Sequence, residues 1–416
     1  MDTDARQLSE FRARAQQWLS ANAELRTESR SAQWGSGSDA VQIFHDLADA
    51  DERALLDELR DWQRLKFDAG FGAISWPEQF GGQGLDPSFE DVFALAEADY
   101  RTPSHHELAS VTVRLIAPTI RLLGTPQLGD RLIVPFLRGE ELCCQLFSEP
   151  SAGSDLAGLR TRAIREGDEW VINGQKVWSS GARFAQWGEL LTRTNPEVPK
   201  HAGMTAFMLP MDTPGVEVRP LRQMSGGRSF CEVFLTDVRI PDSLRLGDVG
   251  AGWKVALTTL GFERGNSSNN ADVGGSFAQV LALTRWLGTA GDERTQSRLV
   301  QVYAHEFLAT IANLRDQRAR RLGRPLGPVG SMRKLQWVQK MTLISDVVSA
   351  ELGPRLAADT GEWGTFAWTG HVLGAPGYRI AGGSDEVQRN IIAERMLGMP
   401  GEARADRDVP WRDVPY

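Results

Sequence analysis

Cysteine is scarce in this sequence: Cys143, Cys144 and Cys231 are the only three in 416 residues. Their spacing supports neither a disulfide framework nor a Cys-built zinc site, and so small a number suits a reducing compartment. Long apolar runs are missing as well. None approaches the ~20 residues of a membrane span, so no membrane segment is expected. Positive charge is in deficit, with 46 Lys+Arg against 54 Asp+Glu and a net charge of −8. That balance excludes the basic footprint of a general nucleic-acid binder. The opening residues Met1-Asp2-Thr3-Asp4-Ala5 carry neither the basic nor the apolar region of a secretory signal. A cytoplasmic location is therefore the expectation. There is no internal repeat and no low-complexity tract.

What is present is an ordinary globular composition, 41% hydrophobic and 24% charged, in a chain long enough for two or three domains. The first ~140 residues read as helical. Leu8, Phe11, Ala15, Trp18 and Leu19 recur at steps of three and four, and Leu55, Leu56, Leu59, Trp62 and Leu65 repeat the pattern. The Gly-rich stretch 75–85 reads as a connector, because no strand precedes it and it lacks GxGxxG spacing. From about 142 the texture changes to short strands. Residues 169–174 predict a strand closed by an Asn-Gly turn at Asn173-Gly174, and 205–209 and 216–218 predict two more. From about 251 helical periodicity returns, most clearly over 296–316 and 333–350. The domain reading is 1–141 helical, 142–250 β, 251–400 helical, and 401–416 a peripheral polar tail. The fold class is α+β, mostly α.

Two segments, 145–155 and 172–181, are dense in small hydroxyl residues and glycine. Such stretches let backbone N–H groups and hydroxyls approach a polar ring closely. Trp178 beside Ser179 and Ser180 adds a flat surface next to hydroxyl donors, which suits an isoalloxazine. Spacing alone also fits a pair of Ser/Gly-rich β-turns. His105-His106-Glu107 has the look of a partial metal cluster, but it lacks an i, i+4 His pair and a third ligand. It reads as a polar loop, and no metal site is expected.

The motifs from Trp62-Gln63 through Gly124-Thr125, over 147–155, 173–178 and 247–252, and again over 383–395, resemble the acyl-CoA dehydrogenase family. The middle wording is similar to the actinobacterial branch that handles sterol side chains and other bulky acyl-CoAs. The resemblance implies a helical N-domain, a β-barrel-like middle domain and a C-terminal four-helix bundle, with FAD between the last two. It also implies an acyl-CoA substrate and electron-transfer flavoprotein, or a similar acceptor, as partner. Carried over, Gln145, Phe147, Ser148, Gly153, Ser154, Trp178, Ser179 and Ser180 belong to the flavin side. Ser148 would meet the pyrimidine end, Trp178 would pack near the ring, and the Ser180 hydroxyl would face N5. Ser154 would also approach the CoA arm, and Ser384 and Glu386 match positions near the cofactor.

The family reaction removes an α-proton to a carboxylate and a β-hydrogen to the flavin. The position of the commonest base is Gly382 here, which cannot accept a proton. A minority of the family carries the base on an earlier helix, just before an arginine. Glu263 falls on that position and Arg264 beside it, after the matching 250–254 segment. The backbone N–H of Gly382 is still available to polarise the thioester carbonyl. A second departure lies at 285–294 and 353–361. Homotetrameric members have there an Arg-x-x-Phe-Gly and a Gln-x-x-Gly-Gly segment that reach a neighbour's FAD, and this chain has neither. A tetramer is implied, and an α2β2 tetramer with a second, related subunit is one form of it. Two other readings remain open: a flavin oxidase or monooxygenase of the same fold, and a half-site subunit that completes a partner's site.

Overall fold

The computed structural model describes residues 3–26, 41, 43–44, 47–266, 274–322, 324, 328–357, 365–404 and 406–414; for 3–5, 263–266, 317, 320–321 and 365–367 the description is of the backbone alone. The predicted helix–strand–helix order is present. The N-terminal part holds α1 (Thr3–Asn22), α2 (Asp49–Asp68), α3 (Ser88–Glu97), α4 (Glu107–Val111), α5 (Ala117–Leu123) and α6 (Pro126–Arg138). Helix α6 starts where Thr125 caps Leu128 N–H and stops at Gly139, whose φ of 76° a residue with a Cβ rarely adopts. Between α4 and α5 the chain makes one wider π turn over Thr112–Ile116. The Thr112 hydroxyl serves two backbones there: it donates to Leu108 O and accepts from Cys143 N–H, both at 2.8 Å. That joins this helix to the first strand of the next domain.

The β-domain is one sheet of β1 (Cys143–Leu146), β2 (Arg162–Glu166), β3 (Glu169–Ser180), β4 (Trp187–Arg193), β5 (Met204–Pro210), β6 (Val216–Leu221), β7 (Phe230–Pro241) and β8 (Arg245–Leu246). Its order is β6-β7-β3-β2-β4-β5-β8, with β1 added parallel to β4. Strands β4 and β5 are buried almost end to end, so they lack the in–out alternation of a half-exposed strand.

The predicted Asn-Gly turn is not a turn. β3 continues through Asn173-Gly174, and the true hairpin is at Gly167, with φ 65°. Asn173 instead sits at a bulge. Its amide donates to Asp237 Oδ1 and its carbonyl oxygen accepts Asp237 N–H, each at 3.0 Å. Gly174 is required by packing, since a Cβ there would lie 2.4 Å from Thr161 Oγ1.

The C-terminal part holds α7 (Gly252–Asn266), α8 (Phe277–Trp286), α9 (Glu293–Arg321), α10 (Val329–Leu352), α11 (Thr365–Tyr378) and α12 (Asp385–Arg395). One continuous apolar core runs from α4–α6 through the sheet to Val255 and Ala256 of α7. Val280, Leu283, Val302, Ile344, Val348 and Trp368 form a separate core for the bundle. The tail expected to be peripheral lies against the β-domain and is tied to it. Pro410 bridges Pro199, Trp411 N–H donates to Val198 O, and the Arg193 guanidinium stacks 4.9 Å from the Trp411 ring centre. Lys200 is held by Asp155 at 2.8 Å and by Asp406 at 2.6 Å. Among the described residues no helix is long and apolar enough to cross a membrane.

Candidate functional site

The segments 145–155 and 172–181 meet through backbone and a buried ion pair. Val177 N–H donates to Ser148 O at 2.9 Å. Lys176, wholly buried, donates to Phe147 O at 3.1 Å and to Glu149 Oε1 at 2.8 Å. Glu149 also receives the backbone N–H groups of Arg160 and Thr161, at 2.6 and 2.9 Å. Burial opposes ionisation of Glu149, but Lys176 and these donors outweigh it and hold its carboxyl below the usual range. Burial likewise presses the Lys176 ammonium downward, with Glu149 opposing. Four donors on one carboxylate fix the loop that carries Phe147 and Ser148. Neither Glu149 nor Lys176 stood out in the sequence, although period two along β3 puts Lys176 on the inward face with Trp170 and Ile172.

Trp178 is the anomaly of the sheet. The β3–β7 register shifts between Lys176 and Ser179, and at this bulge Trp178 takes φ 62°. A bulky residue in left-handed backbone costs about 1–3 kcal/mol and persists where surroundings impose it, often at functional sites. The bulge turns the indole outward, 60% exposed, beside the half-buried Ser148 and Ser180. Among the described residues, Gln145 Nε2 and the buried Ser179 Oγ find no hydrogen-bond partner. Exposed flat ring, flanking hydroxyls and orphaned polar atoms fit a polar heterocycle such as a flavin.

A run of rings leads from here to the bundle. Trp178 meets Phe230 at 5.8 Å, Phe230 meets Phe44 at 5.2 Å, Phe44 stacks on Tyr378 at 5.1 Å, and Tyr378 meets Trp337 at 4.5 Å. Tyr378 ends α11, just before the glycine turn at 382–383. Gly382 and Gly383 both have positive φ, at 66° and 89°. Gln388 Nε2 clamps the turn through Gly382 O at 2.8 Å, and Lys334 does so through Gly383 O at 2.6 Å. The Ser384 hydroxyl is used as the α12 cap, accepting from Val387 N–H. Glu386 is exposed and pairs with Arg389 at 3.6 Å. Gly153 and Ser154 sit on the exposed part of the first loop. Glu263 and Arg264 are on the last turns of α7, and their side chains lie outside the described residues.

Helix α7 is anchored by a buried carboxyl that sequence reading passed over. Glu189 of β4 accepts the Thr259 hydroxyl of α7 at 2.7 Å, and Thr259 also meets Thr119 of α5 at 3.0 Å. Glu189 is fully buried, and its Oε2 has no partner among the described residues. Burial pushes its pKa up to about 8, so at neutral pH it is largely the uncharged acid.

The His105-His106-Glu107 cluster also lies at this site. His106 caps α4, with Nδ1 accepting Leu108 N–H at 3.1 Å and Nε2 bonding Glu52 Oε1 at 3.0 Å. Nδ1 accepts, so the ring proton is on Nε2. Glu52 continues the chain to Arg183, which also pairs with Asp49 at 3.3 Å. Among the described residues no group of three or more His, Cys, Asp or Glu could hold a metal ion.

A strained aromatic on a β-domain, flanked by hydroxyls and facing a glycine turn of a helical bundle, is the architecture of a flavoprotein dehydrogenase acting on thioesters. The chain matches the acyl-CoA dehydrogenase N-terminal domain over 41–140, the middle domain over 144–238 and the C-terminal domain over 250–397. It belongs to the acyl-CoA dehydrogenase family and is an oxidoreductase of that kind. Acyl-CoA dehydrogenase IpdE1 of Mycobacterium tuberculosis is 34% identical over 410 residues, covering 95% of this chain and 99% of that protein. Acyl-CoA dehydrogenase FadE34 of the same organism is 37% identical over 84% of this chain, which spans 47% of that longer protein. The solved structure "Tcur3481-Tcur3483 steroid ACAD" superposes with a TM-score of 0.73 at 25% identity, covering 95% of this chain and 98% of that one. FAD is the cofactor of this family.

Proposed function

We propose that this chain carries out the α,β-dehydrogenation of a branched or ring-bearing acyl-CoA thioester to its trans-2-enoyl form, and that the acyl group is sterol-derived. The observation that carries this is the exposed, strained Trp178 beside Ser148 and Ser180. FAD bound there supplies the acceptor for the β-hydrogen. Trp178 would lie against the ring, with Ser148, Ser180, Gln145 and Ser179 offering hydrogen bonds. Phe147, Gly153 and Ser154 shape the loop toward the CoA arm, and Ser384 and Glu386 approach from α12. Glu263 takes the α-proton, with Arg264 beside it. The Gly382 N–H stands at the thioester oxygen, where negative charge grows as the proton leaves. A glycine in place of a carboxylate leaves room beside the α-carbon, which favours a bulky acyl group. The names of IpdE1 and of the steroid enzyme above agree with that class.

The partner reading is an α2β2 assembly with a second, related subunit, and electron-transfer flavoprotein as acceptor. Helix α9 supports a partner: Val300, Tyr303, Phe307, Ile311 and Leu314 follow one another at helical spacing, and each is 46–64% exposed. The sequence also lacks the two segments with which homotetramers reach a neighbour's FAD. Three free, buried cysteines accord with a cytoplasmic setting.

The test is anaerobic mixing of FAD-loaded protein with a ring-bearing acyl-CoA. Wild type bleaches the flavin, and Glu263→Gln keeps the flavin but does not bleach it. Full bleaching by the variant would remove Glu263 from the reaction. Fast peroxide release without an added acceptor would point instead to an oxidase.

A further inference from the structure

The family reaction needs no acid at the start of α4, yet this chain places one there and holds it in position. Glu107 is the first residue of α4, directly after the cap His106. The Ser180 hydroxyl donates to its carboxyl. The two elements are pressed together at this point: a Cβ on Gly181 would come within 3.0 Å of Leu108 Cβ. The other side of α4 is locked by the chain His106, Glu52, Arg183 and Asp49, so Glu107 has little freedom to swing away.

Glu107 is surrounded yet still reached by solvent, as expected of a group in the wall of a cleft. Burial is the largest influence on it and raises its pKa above the usual range, against Ser180 and His106. A protonated carboxyl has one O–H to donate and keeps acceptor capacity. With Ser180 donating to the carboxyl, the O–H remains to be given to something in the cleft. A purely hydrocarbon acyl group offers nothing to receive it.

We propose that Glu107, set by His106 against Ser180, is a specificity-determining residue that engages an oxygen carried by the acyl group itself, a ring ketone or hydroxyl. This rests on the reading of the cleft as an acyl-CoA site. The arrangement gives the pocket one polar point in an apolar wall, so it distinguishes an oxygenated ring from a plain one. Since Ser180 is the hydroxyl placed nearest the chemistry, the oxygen belongs on the ring next to the reacting carbons.

The experiment measures equilibrium binding to FAD-loaded protein carrying Glu263→Gln, which separates recognition from turnover. The probes are 3-cyclohexylpropanoyl-CoA and its ring-ketone analogue, titrated calorimetrically. With Glu107 present, the ketone binds about tenfold more tightly, the worth of one good neutral hydrogen bond. Glu107→Gln, which still donates, keeps the preference to within about threefold. Glu107→Met, apolar and of similar volume, brings the two affinities to within about twofold. Equal affinities with Glu107 present would overturn the proposal whatever the folding of the variants. So would loss of the preference in Glu107→Gln, or its survival in Glu107→Met. Bleaching of wild-type flavin by either thioester reports separately on the proposed reaction.

Discussion

The Thr259 hydroxyl of α7 donates to Glu189 of β4 at 2.7 Å, four residues before Glu263 on the same helix. One buried carboxyl thus anchors, from the β-domain, the helix that bears the proposed base. Thr119 of α5 closes the contact at 3.0 Å, so all three parts of the chain meet there.

This contact predicts a pH dependence with a definite sign. In the unfolded chain Glu189 titrates near the ordinary value of about 4.3, and in the fold at about 8. Between those values the fold holds a proton that the unfolded chain has released. Its contribution to stability is full below about pH 4.3 and is lost as pH rises through 8. Glu189→Gln still accepts from Thr259 and cannot ionise. Its melting temperature relative to wild type should therefore climb from pH 5 to pH 8, by the equivalent of about 2–5 kcal/mol. A difference that stays flat would mean that Glu189 is ionised in the fold.

Lys176→Met should be severe. It leaves Glu149 buried without its cation, a change that costs about 3–5 kcal/mol. Adding Glu149→Gln removes the stranded charge and should restore much of the loss in thermal melts. Flavin retention should fall in the single variant, because the Phe147–Ser148 loop loses its anchor.

Trp178→Asn separates strain from function. Asparagine tolerates left-handed backbone, and little packing is lost with so exposed an indole. The flavin-free melting temperature should hold or rise by a few degrees, while FAD affinity falls at least about tenfold. A large drop in flavin-free stability would mean that the indole is structural.

Phe307→Glu puts a charge in the middle of the exposed apolar row on α9. Native mass spectrometry should show a smaller assembly with the monomer still folded. An unchanged assembly would move the interface elsewhere.

How legible all this was in the sequence depended on whether a residue's environment is local. The helices over 296–316 and 333–350 follow from their own periodicity, and they appear within α9 and α10. Asn173-Gly174 misled because the dipeptide favours a turn only when nothing else claims it; here Asp237 and Thr161, distant in sequence, claim it. Strand β4 was missed because Gly188, Glu189, Thr192 and Arg193 look polar. Their partners lie in other elements: Thr259 for Glu189, and the carbonyls of Ala157 and Lys200 for Arg193. His106 resembled a metal ligand in the sequence because its actual partner, Glu52, is on another helix. The hydroxyl and glycine segments around Ser148 and Trp178 were readable as a site, but the Glu149–Lys176 pair joining them needed the fold.

The clamp on Lys200 has a consequence for synthesis. It ties Asp155, in the first site loop, to Asp406, near the far end of the chain. At about 5–20 residues per second, that loop waits roughly 10–50 s on the ribosome for its second anchor. Until then Lys200 has one carboxylate instead of two, and Trp411 does not yet cover Arg193. The corner beside Ser154 is therefore among the last parts of the β-domain to close, and it is where a nascent-chain chaperone or protease would find its opening.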